Sequence, residues 1–229
     1  MKILELTLET HSYIFFSTID RGSLIGSHTI TGLFLHNYPL IYSINNVIND
    51  YMFYINQEKY SLVDKALNGE AVYVLPPKLI NVKTRTFFYN VSDEPYIFKE
   101  KVQPHINAPS SGKITYIGPQ SVYRTYAVVP ENINLPNVIR LGKKREGVTK
   151  VEQKEIGIKI KSGKAEVRYP FNIKDCIDTR IINMQILLSP RNVVEEGEIA
   201  IGKIDDDYLV DDEGNIFIIP KKLMKKVKI

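Results

Sequence analysis

The residues best suited to chemistry stand together at Gly142, Lys143, Lys144, Arg145, Glu146 and Gly147, where three consecutive cations lie between two glycines and between two apolar segments of β type. Arg140 sits just upstream. Cations grouped in this way attract a polyanion, and glycines without a Cβ let the chain approach a phosphate backbone closely. Further on, Ile156, Ile158 and Ile160 alternate with Lys159 and Lys161, so an extended chain turns the isoleucines to one side and the lysines to the other. Ser162 and Gly163 suit a two-residue hairpin turn, which would bring Lys164 and Arg168 onto the same basic face. Such a ribbon positions a nucleic acid and makes binding salt-dependent without reading bases. An ordinary solvated surface is the competing reading of the same residues.

Catalysis has less support. Metal-free RNA cleavage needs a base for the 2′-hydroxyl proton, an acid for the leaving oxygen and donors for the phosphorane, and His36, Tyr38 and a nearby lysine have those chemistries. The plainer role for His36 is packing or hydrogen bonding at a helix start. None of His11, His28, His36 and His105 forms a close ligand pair. The acidic run Asp205, Asp206, Asp207, Asp211, Asp212 and Glu213 lacks the spacing of a calcium loop, and Asp212 to Asn215 reads as a hairpin turn. Phosphate-binding P-loop, serine-nucleophile elbow, zinc-helix and Cys-x-x-Cys patterns are all missing. No catalytic residue, metal or cofactor is assigned.

Aromatic rings could add base stacking. Lys83, Arg85, Phe87 and Tyr89 share one face of a strand, as do Arg124 and Tyr126, although nothing matches the RNP signature of an RRM. Packing in or beside the core is the simpler expectation for Phe87 and Tyr89.

Leu4, Leu6 and Leu8 alternate with polar neighbours in a strand with one face in the core, which Tyr13 to Phe16 extends. Asp20 to Gly32 has loop composition. Leu40, Ile41, Ile44, Val47 and Ile48 recur at helical spacing, with Asn37 placed to cap and Pro39 in the first turn. A shorter helix spans Ser61 to Leu67, ended by Asn68 and Gly69. Strands are expected over Val72–Leu75, Val82–Asn90, Lys113–Ile117, Val122–Val129, Val138–Leu141, Val148–Val151, Ile156–Lys161, Lys164–Arg168, Ile181–Leu188, Glu198–Ile204, Tyr208–Val210 and Asn215–Ile219. Pro104 to Gly112 reads as an exposed loop. The class is α+β.

The chain has 229 residues, 44% of them hydrophobic and 24% charged, which excludes disordered and collagen-like classes. Its single cysteine, Cys176, excludes an internal disulfide and fits a reducing cytosol. Glu5 and Glu9 interrupt any signal-peptide core, and the uncharged stretch 22–49 is too polar for a membrane span, so a cytoplasmic location is expected. The net charge of +4 is unevenly spread: residues 1–139 are neutral, 140–168 carry +6, 169–220 carry −7 and 221–229 carry +5. This segregation suggests an electropositive surface for a polyanion beside an acidic face for a protein neighbour. Frequent Ile, Lys, Tyr and Asn suit an AT-rich genome such as that of a thermophilic archaeon.

Leu33 to Ile44, with His36, Asn37 and Tyr38 at its centre, resembles the "HNYALxYAL" stretch of the Csc-one family, the Cas-five-like subunit of type I-D CRISPR effector complexes. Arg140 to Lys144 and Tyr169 to Asp175 are similar to later landmarks of that family. The sequence departs from the pattern at Pro39, where Ala is usual, and at Ile173 and Lys174, where Pro-Leu is common. The resemblance implies a RAMP protein over residues 1–229 with a ferredoxin-like, RRM-related core and β-hairpin extensions. Residues 1–139 would hold most of the core, 140–168 the basic hairpin region and 169–229 a β-rich C-terminal part.

It also implies a noncatalytic antiviral-defence subunit that binds the repeat-derived 5′ handle of crRNA and contacts the Cas-seven-like backbone and Cas-ten-like large subunits, reaching target DNA through the assembled complex. Arg140, Lys143, Lys144 and Arg145 would hold phosphates, with Lys159 and Lys161 adding to the basic surface, and His36, Asn37 and Tyr38 would lie near the handle. Two rivals stay open: a RAMP endoribonuclease that processes repeat RNA, and a structural subunit without direct RNA contact.

Overall fold

The computed structural model describes residues 1–16, 19–23, 26–48, 61–90, 111–143, 146–191 and 193–227. Lys144 and Arg145, and residues 104–110 of the loop expected from Pro104 to Gly112, lie outside the described residues, while Ser111 and Gly112 begin a strand. The elements in chain order are β1 (Lys2–Thr10), β2 (Ile19–Ser23), β3 (Gly26–Ile30), α1 (Asn37–Ile48), α2 (Ser61–Leu67), β4 (Tyr73–Val74), β5 (Lys78–Asn81), β6 (Thr84–Asn90) and β7 (Ser111–Ile117). There follow β8 (Val122–Val129), β9 (Val138–Leu141), β10 (Gly147–Glu155), β11 (Ile158–Asn172), β12 (Ile181–Leu188), α3 (Val193–Glu196), β13 (Ile199–Asp211), β14 (Ile216–Phe217) and α4 (Lys221–Met224). Among the described residues no helix is long and apolar enough to cross a membrane.

The alternating leucines of β1 place it at the centre of a six-stranded antiparallel sheet, in the order β4-β8-β1-β10-β9, with β5 also paired to β8. Burial is two-sided where one side was expected: Leu4, Leu6 and Leu8 are buried, and so are Ile3 and Glu5. Leu40, Ile41 and Ile44 of α1 enter the main core with Leu62, Val63 and Ala66 of α2. Gly69, at φ +74°, ends α2 with its N–H on the Ala66 carbonyl at 2.9 Å, as its sequence predicts.

A second sheet has the order β11-β13-β12, with β14 paired to β13, and encloses a smaller core of Val167, Phe171, Cys176, Ala200, Ile204 and Ile218. It joins the main core through Tyr126 of β8, whose ring stacks on Phe217 at 3.8 Å and whose hydroxyl donates to Asp211 Oδ2 at 2.6 Å. The third sheet, β2-β3-β7-β6, occupies part of the region expected to be a loop, and its β3-β7 pairing is parallel. Short glycine-rich strands without an apolar period explain why composition alone misread it.

Ser162 and Gly163 do not form a turn. β11 runs straight through them for 15 residues, with Ser162 opposite Asp207 and Gly163 opposite Asp206, and the two expected strands on β13 likewise fuse into one of 13. Gly163 lies at φ +116°, a conformation that lets glycine continue in a long strand as well as reverse it. One continuous strand puts Lys159 and Lys161 out of step with Lys164 and Arg168, so the single basic face expected from a hairpin is not built.

Candidate nucleic-acid interface

The basic tip lies between β9 and β10, which pair from Val138 opposite Lys150 to Leu141 opposite Gly147. Its backbone is fastened from three sides. Lys143 N–H donates to the Phe15 carbonyl at 2.7 Å, Ser43 Oγ of α1 donates to the Arg140 carbonyl at 2.7 Å, and Val148 N–H donates to Ser12 Oγ at 2.7 Å. The glycines serve this attachment. A Cβ on Gly147 would stand 2.5 Å from Ile14 Cγ1 and 2.8 Å from the Leu141 carbonyl oxygen, and one on Gly142, at φ +90°, would stand 3.0 Å from the Phe15 carbonyl oxygen. The close approach that glycine permits here is to the protein's own β1-flanking segment. The Arg140 and Lys143 side chains remain exposed on this anchored frame.

Lys159 and Lys161 are exposed but not part of that tip. They follow the far end of β10, and nine residues of strand separate the two groups by about 27 Å. Lys159 and Lys161 stand opposite Val210 and Tyr208, and the acids of the same neighbour strand come next along it: Ser162 Oγ donates to Asp207 Oδ1, and Lys164 is opposite Asp205. Lys221 pairs with Asp206 at 2.7 Å, Arg180 with Asp205 at 3.6 Å, and Glu213 receives both Arg124 at 3.1 Å and Lys154 at 3.3 Å. Cations from other parts of the chain thus meet Asp205, Asp206 and Glu213 of the acidic run. Hydrogen bonds from Tyr126 and Asn215 outweigh burial and hold the Asp211 carboxyl below its ordinary value. Asp211 closes the turn to Asn215 as predicted, its carboxylate accepting the Asn215 N–H at 2.7 Å.

His36, Asn37 and Tyr38 are buried. Tyr38 N–H donates to His36 Nδ1 at 3.2 Å, which leaves Nε2 as the donor toward the Gly197 carbonyl at 3.2 Å. The helix thus opens on a histidine acceptor, while the Asn37 side chain, expected to cap, turns away to other partners. Asn37 Nδ2 donates to Asp175 Oδ2 at 2.9 Å, and its Oδ1 accepts from Asn172 Nδ2 at 3.1 Å. Tyr38 and Tyr73 hydroxyls donate to Asp175 at 2.9 and 2.7 Å. Burial raises the Asp175 carboxyl above its ordinary value although these hydrogen bonds oppose the shift, and burial lowers the His36 imidazole. The trio forms an internal junction between α1 and the second sheet, with its polar atoms turned inward.

Residues 1–224 match the family described as type I-D CRISPR-associated protein Cas5/Csc1. The chain belongs to the Cas5/Csc1 family. No curated protein matches it. Among solved structures it is similar to a chain in the cryo-EM structure of the Type III-B Cmr-beta bound to cognate target RNA and AMPPnP, state 1, with 8% identity, a TM-score of 0.43, and coverage of 88% of this chain and 86% of that one. It is also similar to the crystal structure of a CRISPR protein from Archaeoglobus fulgidus, with 12% identity, a TM-score of 0.41 and coverage of 96% and 99%.

In this Cas5/Csc1 chain the sequence landmarks around Asn37 and Asp175 touch one another, which no spacing argument anticipated. Tyr73, Asn172 and Asp175 were missed as partners, although the last two lie inside the Tyr169–Asp175 landmark. The aromatic expectations divide. Tyr126 is fully buried and Arg124 is paired with Glu5 and Glu213, so that face belongs to the fold. Phe87 is half out, and its ring meets Tyr13 and Tyr116 edge-on at 5.2 and 5.4 Å. Among the described residues, no group of three or more His, Cys, Asp or Glu side chains could hold a metal.

Proposed function

We propose that this chain is a noncatalytic subunit of a type I-D CRISPR interference complex that binds the repeat-derived 5′ handle of crRNA. The observation that carries the reading is the basic tip, whose backbone is fixed by Phe15, Ser43 and Ser12 while Arg140 and Lys143 reach outward. A rigid frame with exposed cations loses little conformational freedom when it meets a phosphate chain. Lys144 and Arg145 extend the same run in sequence, and Lys159 and Lys161 form a second, separate basic element that a long RNA can also reach.

The proposed core is ferredoxin-like and RRM-related, with β-hairpin extensions. In support, α1 carries the chain from β1 to the parallel strand β4, and the order β4-β8-β1-β10 is that of a split βαβ arrangement, with β9 and its loop replacing the second helix. Contacts to the Cas-seven-like backbone and Cas-ten-like large subunits, and to target DNA through the complex, follow from the same reading, as does a place in antiviral defence.

A repeat-cleaving endoribonuclease is the enzyme rival. Burial of His36, with both ring nitrogens hydrogen-bonded, favours the noncatalytic reading, because a general base must reach the ribose hydroxyl. The test is a native pull-down with sequencing of bound RNA from its 5′ ends. We expect crRNAs with one common repeat-derived 5′ handle, together with type I-D subunits. Recovery without crRNA would overturn the reading, and cleavage of repeat RNA by the pure chain, lost in His36→Ala with binding retained, would establish the rival.

A further inference from the structure

Neighbouring residues of a strand point to opposite faces, so Phe87 and Phe88 give the β6-β7 ribbon an aromatic ring on each side. The two rings have different surroundings. Phe87 belongs to a cluster with Tyr13 and Tyr116, and the Arg85 guanidinium lies 5.9 Å from its centroid. Phe88, on the other side, is 74% exposed, and Lys113 Nζ lies 5.0 Å from its ring centroid. Thr86 and Thr115 flank it with exposed or half-exposed hydroxyls 2.9 Å apart.

An aromatic side chain that exposed adds little to the stability of the fold. Its setting indicates what covers it. Neither Thr84–Asn90 nor Ser111–Ile117 contains an Asp or Glu, and neither Arg85 nor Lys113 is in an ion pair among the described residues. A ring with a cation beside it, hydroxyl donors around it and no carboxylate on either strand complements a nucleobase attached to a phosphate chain. A protein surface would have to be acidic and apolar at the same place. The ribbon is also continuous with the basic tip, since Phe15 packs on Tyr116 at 5.4 Å and its carbonyl accepts the Lys143 N–H.

We propose that Phe88 stacks on an unpaired RNA base while Lys113 contacts an adjoining phosphate. This rests on the crRNA-binding reading above and specifies what that RNA offers: a single-stranded segment whose bases are free to stack. Stacking tolerates any base, so the contact fixes the path of the strand and leaves its sequence unread.

The experiment is equilibrium binding of the purified full chain to a single-stranded RNA oligonucleotide and to the same oligonucleotide carrying abasic positions, across a salt series. Phe88→Leu keeps an apolar side chain and removes the ring; we expect roughly 5- to 150-fold weaker binding to the intact RNA, with an unchanged salt slope. Phe88→Tyr should retain wild-type affinity. Abasic RNA should bind wild type and Phe88→Leu alike. Lys113→Ala should lower the magnitude of the salt slope by about 0.7. Equal binding of intact RNA by wild type and Phe88→Leu, in a chain that still needs Arg140 and Lys143, would overturn the stacking contact and leave the crRNA reading standing. Loss of co-purifying subunits in Phe88→Leu with RNA binding intact would overturn it in favour of a protein interface. A wild-type chain and complex that hold no RNA would overturn both.

Discussion

Asn37, the first residue of α1, and Asp175, 138 residues later and just beyond β11, are joined by a buried hydrogen bond of 2.9 Å from Asn37 Nδ2 to Asp175 Oδ2. Their bond ties the helix that covers the main sheet to the sheet with its own smaller core. Removing a donor from a buried carboxylate leaves a desolvated charge with fewer partners, so Asn37→Ala should destabilise the chain by roughly 2–3 kcal/mol. Urea unfolding would measure this. A loss below roughly 0.5 kcal/mol, the scale of ordinary surface substitutions, would mean that the junction is not a stabilising link.

Acid should weaken the same junction through His36. Burial lowers its folded-state value below 6.5, so the unfolded chain takes up the proton first as pH falls. The contribution from a neutral His36 is therefore complete above 6.5 and is lost as pH drops from there toward the lowered folded value. Asp175 acts in the opposite direction: its carboxyl is raised above 3.8, so protonation in the folded state adds stability as pH falls through that raised value. His36→Gln, which keeps a donor and removes the titration, should reduce the stability change between about pH 7.5 and 5.5. An identical pH profile in wild type and variant would exclude His36 as the source.

Several elements were legible in the sequence: α1, α2, β8, β9 and β12 stand where their residues place them, and in α2 and β9 burial follows the apolar period. The family was legible too, from Leu33–Ile44 and Tyr169–Asp175. The reading faltered where the local signal is shared by two structures. Ser162-Gly163 has the chemistry of a turn, yet the long register between β11 and β13 keeps it extended. His36, Asn37 and Tyr38 have the chemistry of a site, yet their partners lie more than a hundred residues away and nothing local marks them as interior. Phe88 carries an ordinary strand pattern, and only its lack of covering neighbours distinguishes it.

Gly147 should not accept a side chain. Its added Cβ would meet a carbonyl oxygen of the paired strand and the fully buried Ile14, neither of which is the free end of a flexible group. Gly147→Ala should cost about 1–3 kcal/mol by overpacking. Because the same contact seats the tip, RNA retention should fall in the variant even at temperatures where it is fully folded. Gly214→Ala is a useful contrast: no atom lies within 4 Å of its Cβ, so only its φ of +81° opposes the change, and RNA retention should be unaffected. Equal RNA loss in both variants at matched stability would disconnect tip geometry from binding.

The two basic elements make separable predictions about salt. Arg140 and Lys143 stand on the anchored tip without a carboxylate partner among the described residues, whereas Lys159 and Lys161 lie on a strand whose neighbour carries Asp205, Asp206 and Asp207. Each cation that meets a single-stranded phosphate contributes about 0.7 to the magnitude of the log–log salt slope. Arg140→Ala with Lys143→Ala should therefore lower that slope by about 1.4 and weaken RNA retention most at low salt. Replacing Lys159 and Lys161 should change the slope less, because nearby acids already offset part of their field. Both variants alter exposed side chains, so melting temperatures should stay close to wild type. A larger slope change from Lys159 and Lys161 than from Arg140 and Lys143 would move the principal phosphate contacts from the β9-β10 tip to β11.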